Sequence, residues 1–218
     1  HKILSEAKIA GLINCPINKN LLGKKYQGLT EFFASKCNVK KDSEVMLIRN
    51  KKISVVPITT HIDLKKVAKK ISKNLIVQKI KTLNIWFKKY EKKKPKICLL
   101  GLNPHNAEFR RNSEEKKIII PAIKKLKKLG INIHGPLSAD TIFINEYKKF
   151  DVIVGMFHDQ IIAPFKSLYK FDGINITLGL DYLRVSPDHG IAKNLIGKKK
   201  ANPTSLTECI KFISKFKE

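Results

Sequence analysis

Arginine, acidic residues and paired cysteines are all scarce in this chain, and each scarcity narrows what it can be. The four cysteines, Cys15, Cys37, Cys98 and Cys209, are far apart and form no CxxC pair. Cys98 lies inside an apolar run and reads as a reduced, buried thiol, which suits a cytoplasmic protein. No apolar run reaches the ~18–20 residues of a membrane span, and no signal-peptide pattern appears, so neither a span nor secretion is predicted. Acidic residues number 18 against 44 basic ones, a formal charge of +26. Such a charge invites a nucleic-acid partner. Two features weigh against one. Only Arg49, Arg110, Arg111 and Arg184 are arginines, whereas groove and phosphate readers lean on arginine's bidentate fork. The lysines also fall as spaced pairs (Lys65-Lys66, Lys69-Lys70, Lys124-Lys125, Lys127-Lys128), the pattern of solvated helix faces. A positive field would still attract an anionic substrate or cofactor.

What is present fits a globular protein. Hydrophobic residues make up 43% of 218 residues, enough for one large α/β domain or two small ones. The first residue is His1 rather than Met, as expected of a fragment or a processed piece. Short apolar runs alternate with longer stretches of helical period, the signature of a parallel α/β architecture. Strands are expected at Ala10–Cys15, Ile53–Thr59, Lys96–Leu102, Val152–Met156 and Ile174–Leu178. Helices are expected at Thr30–Ser35, Leu64–Tyr90 with a break near Lys73-Asn74, Ser113–Leu129 and Leu206–Phe216. Ser113 with Glu114 and Glu115 makes a helix start, Gly130 a stop, and Pro121 a kink or a late start.

Three histidines fall just past the carboxyl ends of predicted strands. His61 closes ISVVPITTH, His105 closes KICLLGLNPH and His158 closes DVIVGMFH. Open α/β sheets place their ligands at that edge, so the imidazoles converge if their strands are neighbours. Three neutral nitrogen ligands suit zinc, cobalt or manganese better than oxygen-seeking magnesium. One histidine at a strand end is ordinarily a hydrogen-bonded loop residue, and only the repetition of the context raises a metal site to an even contest. His134, before Gly135-Pro136 and without a preceding strand, reads as a loop residue. Further on, Lys166, Asn175 and Arg184 lie in a segment punctuated by Asp172-Gly173 and Gly179. Two cations and an amide near a metal suit a phosphorylated or carboxylated ligand.

Read together, the segments resemble a known family. GLNPH at Gly101–His105, GPLSADTIF at Gly135–Phe143, FHDQ at Phe157–Gln160, GINITLGL at Gly173–Leu180 and SPDHGIA at Ser186–Ala192 are similar to the 4-hydroxythreonine-4-phosphate dehydrogenases. CPINK at Cys15–Lys19 and TTHIDL at Thr59–Leu64 match upstream, in the same order. The family's N-terminal portion, with its early Gly/Pro-rich turn, is missing. The resemblance implies that His61, His105 and His158 bind a divalent metal (Zn, Co, Mn or Mg) at a homodimer interface, the third histidine coming from the other subunit. It further implies substrate contacts at Thr30, Lys166, Asn175 and Arg184. Where the family usually has His before Thr-Glu, this chain has Leu29, which cannot hydrogen-bond a substrate.

The stretch DHGIAKNLIGKKKANP also resembles the HGxAxxxxGxxxANP segment of isocitrate and isopropylmalate dehydrogenases, which lies against the adenosine end of the nicotinamide cofactor. That superfamily lacks a GxGxxG fingerprint, as does this chain. Asp188, His189 and Gly190 are the cofactor-side candidates. The competing reading makes Asp188 a helix cap and Gly190 a turn residue. The implied fold is an isocitrate/isopropylmalate dehydrogenase-like α/β/α architecture of two subdomains, with the active site in the cleft between them. Residues 1–20 and 185–218 would be a remnant of the first, and 21–184 the second. The implied reaction is NAD- or NADP-linked oxidation of 4-phosphohydroxy-L-threonine in vitamin B6 synthesis. No general base can be assigned. Asp159 is a candidate, though a partner to His158 is its better role. Two alternatives stay open: the same chemistry on a threonate or erythronate phosphate, and a lysine-rich nucleic-acid-binding domain. A chain lacking the N-terminal portion could also be inactive.

Overall fold

The apolar runs pair into one eight-stranded sheet. The computed structural model describes residues 9–18, 28–37, 39–40 and 42–216. The strands are β1 (Leu12–Ile13), β2 (Val45–Arg49), β3 (Ser54–Pro57), β4 (Ile97–Leu100), β5 (Ile133–Leu137), β6 (Val152–Gly155), β7 (Ile174–Leu178) and β8 (Arg184–Pro187), in spatial order β1-β8-β7-β2-β3-β6-β4-β5. β3, β6, β4 and β5 pair in parallel. β2 is antiparallel to β3 and β7, and β8 is antiparallel to β7 but parallel to β1. The parallel α/β pattern expected from the alternation holds for β3, β6, β4 and β5, and the sheet as a whole is mixed. Along the strands, alternate residues feed opposite cores: Val45, Leu47, Ile97, Leu99, Val152 and Val154 one, Met46, Ile48, Cys98, Leu100 and Ile153 the other. Strands buried on both faces need helices on both, which makes the three-layer α/β/α arrangement.

The helices follow from capping and spacing. α1 spans Leu29–Lys36. The long helical stretch breaks, as expected, into α2 (Leu64–Lys70) and α3 (Lys73–Tyr90). Ser72 accepts the Leu75 N–H at 3.2 Å and starts α3. Ile76, Ile80, Leu83 and Phe87 then repeat at helical spacing and are buried together, each contributing roughly 1.5–3 kcal/mol. Ser113 does begin the next helix, accepting from Lys116 N at 3.3 Å. A single π turn, Glu115–Ile119, precedes α4 (Ile120–Lys128), so Pro121 sits in the first α turn, where its missing N–H costs little. Gly130 stops α4 at φ +72°. The short α5 (Ala139–Ile142) and α6 (His158–Tyr169) cover the second face, and α7 (Thr204–Ile213) the first.

Five elements escape the sequence reading: β2, β5, β8, α5 and α6. His134 is a strand residue in β5, its Nε2 2.9 Å from Asn132 Oδ1, rather than a loop residue. β5 hides behind Gly135-Pro136, joined by a cis peptide. β8 hides behind a charged residue, Arg184, that is only 2% exposed. α6 carries Pro164 in its interior. Among the described residues, no helix is long and apolar enough to cross a membrane.

Cys98 is fully buried, and burial pushes its thiol up to about 12. In the native protein iodoacetamide should modify exposed Cys15 and leave Cys98 untouched until denaturant is added, as peptide mass mapping would read. Lys170, exposed at the end of α6, holds φ +52° and ψ −114°, a conformation that only glycine adopts cheaply. Lys170→Gly should therefore raise the unfolding free energy by about 1 kcal/mol, measured by urea denaturation.

Candidate functional site

The site begins with two strands that end together. β3 and β6 pair from Ser54↔Val152 to Pro57↔Gly155. The pairing runs on past them through Ile58 N→Gly155 O (2.8 Å) and Thr59 N→Met156 O (3.1 Å). His61 and His158 therefore leave the same edge side by side, with ring centroids 5.9 Å apart. His158 opens α6, and its Nδ1 lies 2.6 Å from Asp159 Oδ1. His61 Nδ1 lies 3.4 Å from Glu31 Oε1 on α1, and Thr60 Oγ1 donates to the same oxygen at 3.2 Å. Each imidazole thus sets Nδ1 against a carboxylate, and among the described residues Nε2 has no hydrogen-bond partner, the disposition that metal-binding histidines use. Asp159 is placed as a partner to His158. Burial pushes the Glu31 carboxyl up, but hydrogen bonds from His61 and Thr60 outweigh it and hold the group below the usual carboxylate range.

The third strand end is adjacent, since β4 pairs with β6. Gln160 ties the two edges, accepting from Met156 N at 2.6 Å and donating to Gly101 O at 2.8 Å. His105 nevertheless does not join the other histidines. Glu115, wholly buried, accepts from Leu102 N and Asn103 N, both at 2.9 Å, and so turns the chain sharply after β4. Asn106, also buried, donates to Pro136 O and Ser138 Oγ at 3.3 and 3.4 Å. Between and beyond these anchors His105 through Phe109 all take positive φ, from +43° to +56°. His105 consequently faces solvent, 70% exposed, with Glu108 and Asp140 oxygens each 3.9 Å from its ring. Among the described residues, no three His, Cys, Asp or Glu side chains are grouped to hold a metal ion. Two of the three expected ligands meet within one chain, and the third points away.

Beside the histidine pair is a cavity of about 340 Å³ with Met46 and Ile48 in its wall, into which Lys166, Asn175, Asp188, His189 and Gly190 also face. The helix-cap reading of Asp188 is corrected. Its carboxylate pairs with Lys166 Nζ at 2.7 Å, and Lys166 also donates to its main-chain oxygen. Burial pushes the Asp188 carboxyl up, with Lys166 opposing. Asn175 Oδ1 is buried with no hydrogen-bond partner among the described residues. Thr30 and Arg184 are buried and form no part of the cavity wall. Strand alternation sets Asn175, Thr177 and Arg184 on one face. Arg184 donates to Thr177 Oγ1 at 2.9 Å and Asn14 Oδ1 at 2.6 Å, and Thr30 Oγ1 is 3.5 Å from Thr177 Oγ1. The guanidinium also stacks over Phe33, 5.4 Å from the ring centroid. No carboxylate among the described residues pairs with it, and burial pushes its pKa down to about 10. A buried cation without a counter-ion is costly unless hydrogen bonds hold it, as Thr177 and Asn14 do here. Lys19, at the end of CPINK, is outside the described residues.

Glu31, Glu115, Asn106, Thr177 and Gln160 were not singled out from the sequence. Glu115 looked like an ordinary first-turn acid. Glu31, directly after Thr30, Thr177, within GINITLGL, and Gln160, closing FHDQ, all sat inside segments already noted, while Asn106 fell just past GLNPH.

A three-layer α/β fold with an imidazole pair and a cavity at its sheet edge defines a ligand-binding α/β protein. Residues 2–213 match the family described as pyridoxal phosphate biosynthetic protein PdxA, and the chain belongs to that family. It is 43% identical over 214 residues to a 4-hydroxythreonine-4-phosphate dehydrogenase of Sulfurihydrogenibium, covering 96% of this chain and 66% of that protein. The chain thus spans just under two thirds of that relative's length. A crystal structure of the Klebsiella pneumoniae 4-hydroxythreonine-4-phosphate dehydrogenase superposes with TM-score 0.84 at 29% identity, covering 100% of this chain and 67% of that one. A relative from Oceanobacillus iheyensis, 36% identical over 96% of this chain and 64% of its own length, is named provisionally as a D-threonate 4-phosphate dehydrogenase. Isocitrate dehydrogenase of Methylococcus capsulatus shares the fold, with TM-score 0.57 at 13% identity, covering 93% of this chain and 67% of that one.

Removing the Glu115 carboxylate strands the Leu102 and Asn103 donors, so Glu115→Ala should cost about 3 kcal/mol in denaturant unfolding. Burial pushes the Glu115 carboxyl up, but these hydrogen bonds hold it below the ordinary glutamate value. Its stabilisation is therefore present above the ordinary glutamate pKa and is lost as pH falls through the lowered one. The wild type should weaken across that acid range more steeply than Glu115→Gln.

Proposed function

We propose that this chain is the metal-holding and substrate-binding part of a dehydrogenase that oxidises 4-phosphohydroxy-L-threonine to a β-keto acid. That acid then loses carbon dioxide to give 3-amino-2-oxopropyl phosphate, in pyridoxal phosphate synthesis. The observation that carries the reading is the histidine pair, each Nδ1 on a carboxylate and each Nε2 without a partner among the described residues, beside a cavity holding Lys166 and Asn175. The donor set suits a borderline divalent metal such as zinc, cobalt or manganese. His61 and His158 would hold it from one chain, with His105 of the partner subunit completing the set. The outward turn of His105 on its left-handed segment supports a homodimer with shared sites. When bound, the metal supplies Lewis acidity toward the substrate hydroxyl, and NAD or NADP supplies the hydride acceptor.

The chain's own residues bind and orient. Lys166, fixed by Asp188, offers its ammonium group to an anionic part of the substrate. Asn175 offers its unpartnered amide oxygen to a substrate donor. Arg184, bonded to Thr177 with Thr30 beyond it, would add a buried positive charge that favours an anionic substrate. Asp188, His189 and Gly190 line the side assigned to the cofactor, though Asp188 acts there chiefly by holding Lys166. We read residues 185–218 with 1–20 as the remnant of the cofactor-side subdomain, 21–184 as the other, and the setting as cytoplasmic. The four-carbon sugar-acid phosphates are the second reading, favoured by Leu29 and by the name of the Oceanobacillus relative.

The first test is NADH formation at 340 nm with 4-phosphohydroxy-L-threonine, on metal-stripped protein with and without zinc, cobalt or manganese. Turnover that needs metal is expected; turnover only with D-threonate 4-phosphate would transfer the reading to the second substrate. Shared sites make a sharper prediction. His105→Ala and His158→Ala should each be inactive, while their mixture, after subunit exchange, should recover about a quarter of wild-type activity through hybrid dimers. Full activity in His105→Ala alone would exclude it as a ligand.

A further inference from the structure

Glu31 sits at a junction that the metal and substrate residues do not explain. Its Oε1 meets His61 Nδ1 at 3.4 Å and takes the Thr60 hydroxyl at 3.2 Å, so the residue just before His61 helps to fix the carboxylate that His61 uses. Its Oε2 is buried with no hydrogen-bond partner among the described residues, and the side chain forms part of the wall of a second cavity, about 790 Å³, shared with Thr59, Thr60 and Ile62. Gly28 closes the arrangement. A Cβ there would lie 2.9 Å from Glu31 Oε2 and 3.3 Å from His61 Cε1 and Nδ1. Its φ is −170°, ordinary extended backbone, so a side chain there would act only by displacing the Glu31 carboxylate and crowding the His61 ring. Three elements thus converge on one imidazole edge: the turn before α1, α1 itself and the loop after β3.

We propose that Glu31 is a positioning residue that holds His61 as its Nδ1–H tautomer, so that the unprotonated Nε2 faces the cavity as an electron-pair donor. A neutral imidazole carries one proton on one nitrogen, and the nitrogen facing an acceptor keeps it. The carboxylate is the acceptor within reach, and it also limits rotation of the ring. His158 receives the same service from Asp159, which is its chain neighbour and 83% exposed. The Glu31 carboxylate is reached across 30 residues of chain and is only 22% exposed. Glu31 is therefore the less screened of the two and the one that folding, not local sequence, brings into place. The consequence for metal binding rests on the function proposed above, but the tautomer does not.

The test separates the two. Long-range ¹⁵N–¹H correlation spectra of ¹⁵N-histidine protein, metal-free and at a pH where imidazole is neutral, report the tautomer of His61. Titration calorimetry with Zn²⁺ reports affinity. The wild type should show His61 protonated on Nδ1. Glu31→Met, which keeps length but removes the acceptor, should show a tautomer mixture and bind Zn²⁺ some 10–100-fold more weakly. Glu31→Gln, which restores an acceptor oxygen, should recover much of both, and Gly28→Ala should disturb the tautomer in the same direction as Glu31→Met. His61 protonated on Nε2 in the wild type, or a Glu31→Met spectrum identical to wild type, overturns the proposal. Nδ1 protonation that depends on Glu31 in a protein that binds no zinc upholds the proposal and overturns the metal reading. If Glu31→Met does not fold, the wild-type tautomer and Gly28→Ala still decide.

Discussion

The parallel seam between β3 and β6 is the constraint on which the rest of the site depends. Its register aligns Pro57 with Gly155, and backbone bonds from Ile58 and Thr59 carry the alignment beyond the strands. A slip of one residue would turn every side chain to the opposite face and separate the two histidines. Gln160 then extends the seam sideways, joining the end of β6 to Gly101 after β4. The imidazole pair is thus held by main-chain hydrogen bonds, the stiffest connections available, and only its final orientation is left to side chains.

Around that seam the fold spends charge in unusual places. Glu115 has no exposed surface, Arg184 and Lys79 are nearly as buried, and none of the three is held mainly by a direct ion pair. Glu115 is satisfied by main-chain N–H groups, Lys79 by the Glu44 main-chain oxygen at 2.5 Å, and Arg184 by Thr177 and Asn14. Hydrogen bonds from fixed dipoles can hold a buried charge where a counter-ion would cancel it. For Glu115 the outcome is a rigid turn that directs His105 outward. For Arg184 it is a buried positive charge held by hydrogen bonds, with no carboxylate paired to it among the described residues.

The large net charge is, by contrast, a surface matter. Lys65, Lys66, Lys69, Lys70, Lys124, Lys125, Lys127 and Lys128 are exposed on α2 and α4, while Val67, Ala122, Ile123 and Leu126 face inward. The paired spacing that suggested solvated helix faces has that meaning in the fold. A surface of this kind raises the concentration of anionic solutes near the protein without specifying one.

The strand-end histidines, the break before α3, the start at Ser113 and the stop at Gly130 were legible because each rests on local chemistry: apolar runs, caps and turn residues. β5, β8 and α6 were not, because Gly135-Pro136, Arg184 and Pro164 carry local signals opposite to the structures they join. Tertiary burial overrides such signals, since a neighbouring strand or packed face outweighs a propensity of about 1 kcal/mol. Periodicity alone accounts for the layered α/β class, the solvated lysine faces and the residues at each strand end. Only the tertiary structure decided which strand ends are neighbours, that His61 meets His158 while His105 turns away, and that Glu31 and Asp188 serve His61 and Lys166. Those pairings span from 22 to more than 90 residues of chain, and no local rule encodes a contact whose partners are brought together only when the sheet closes.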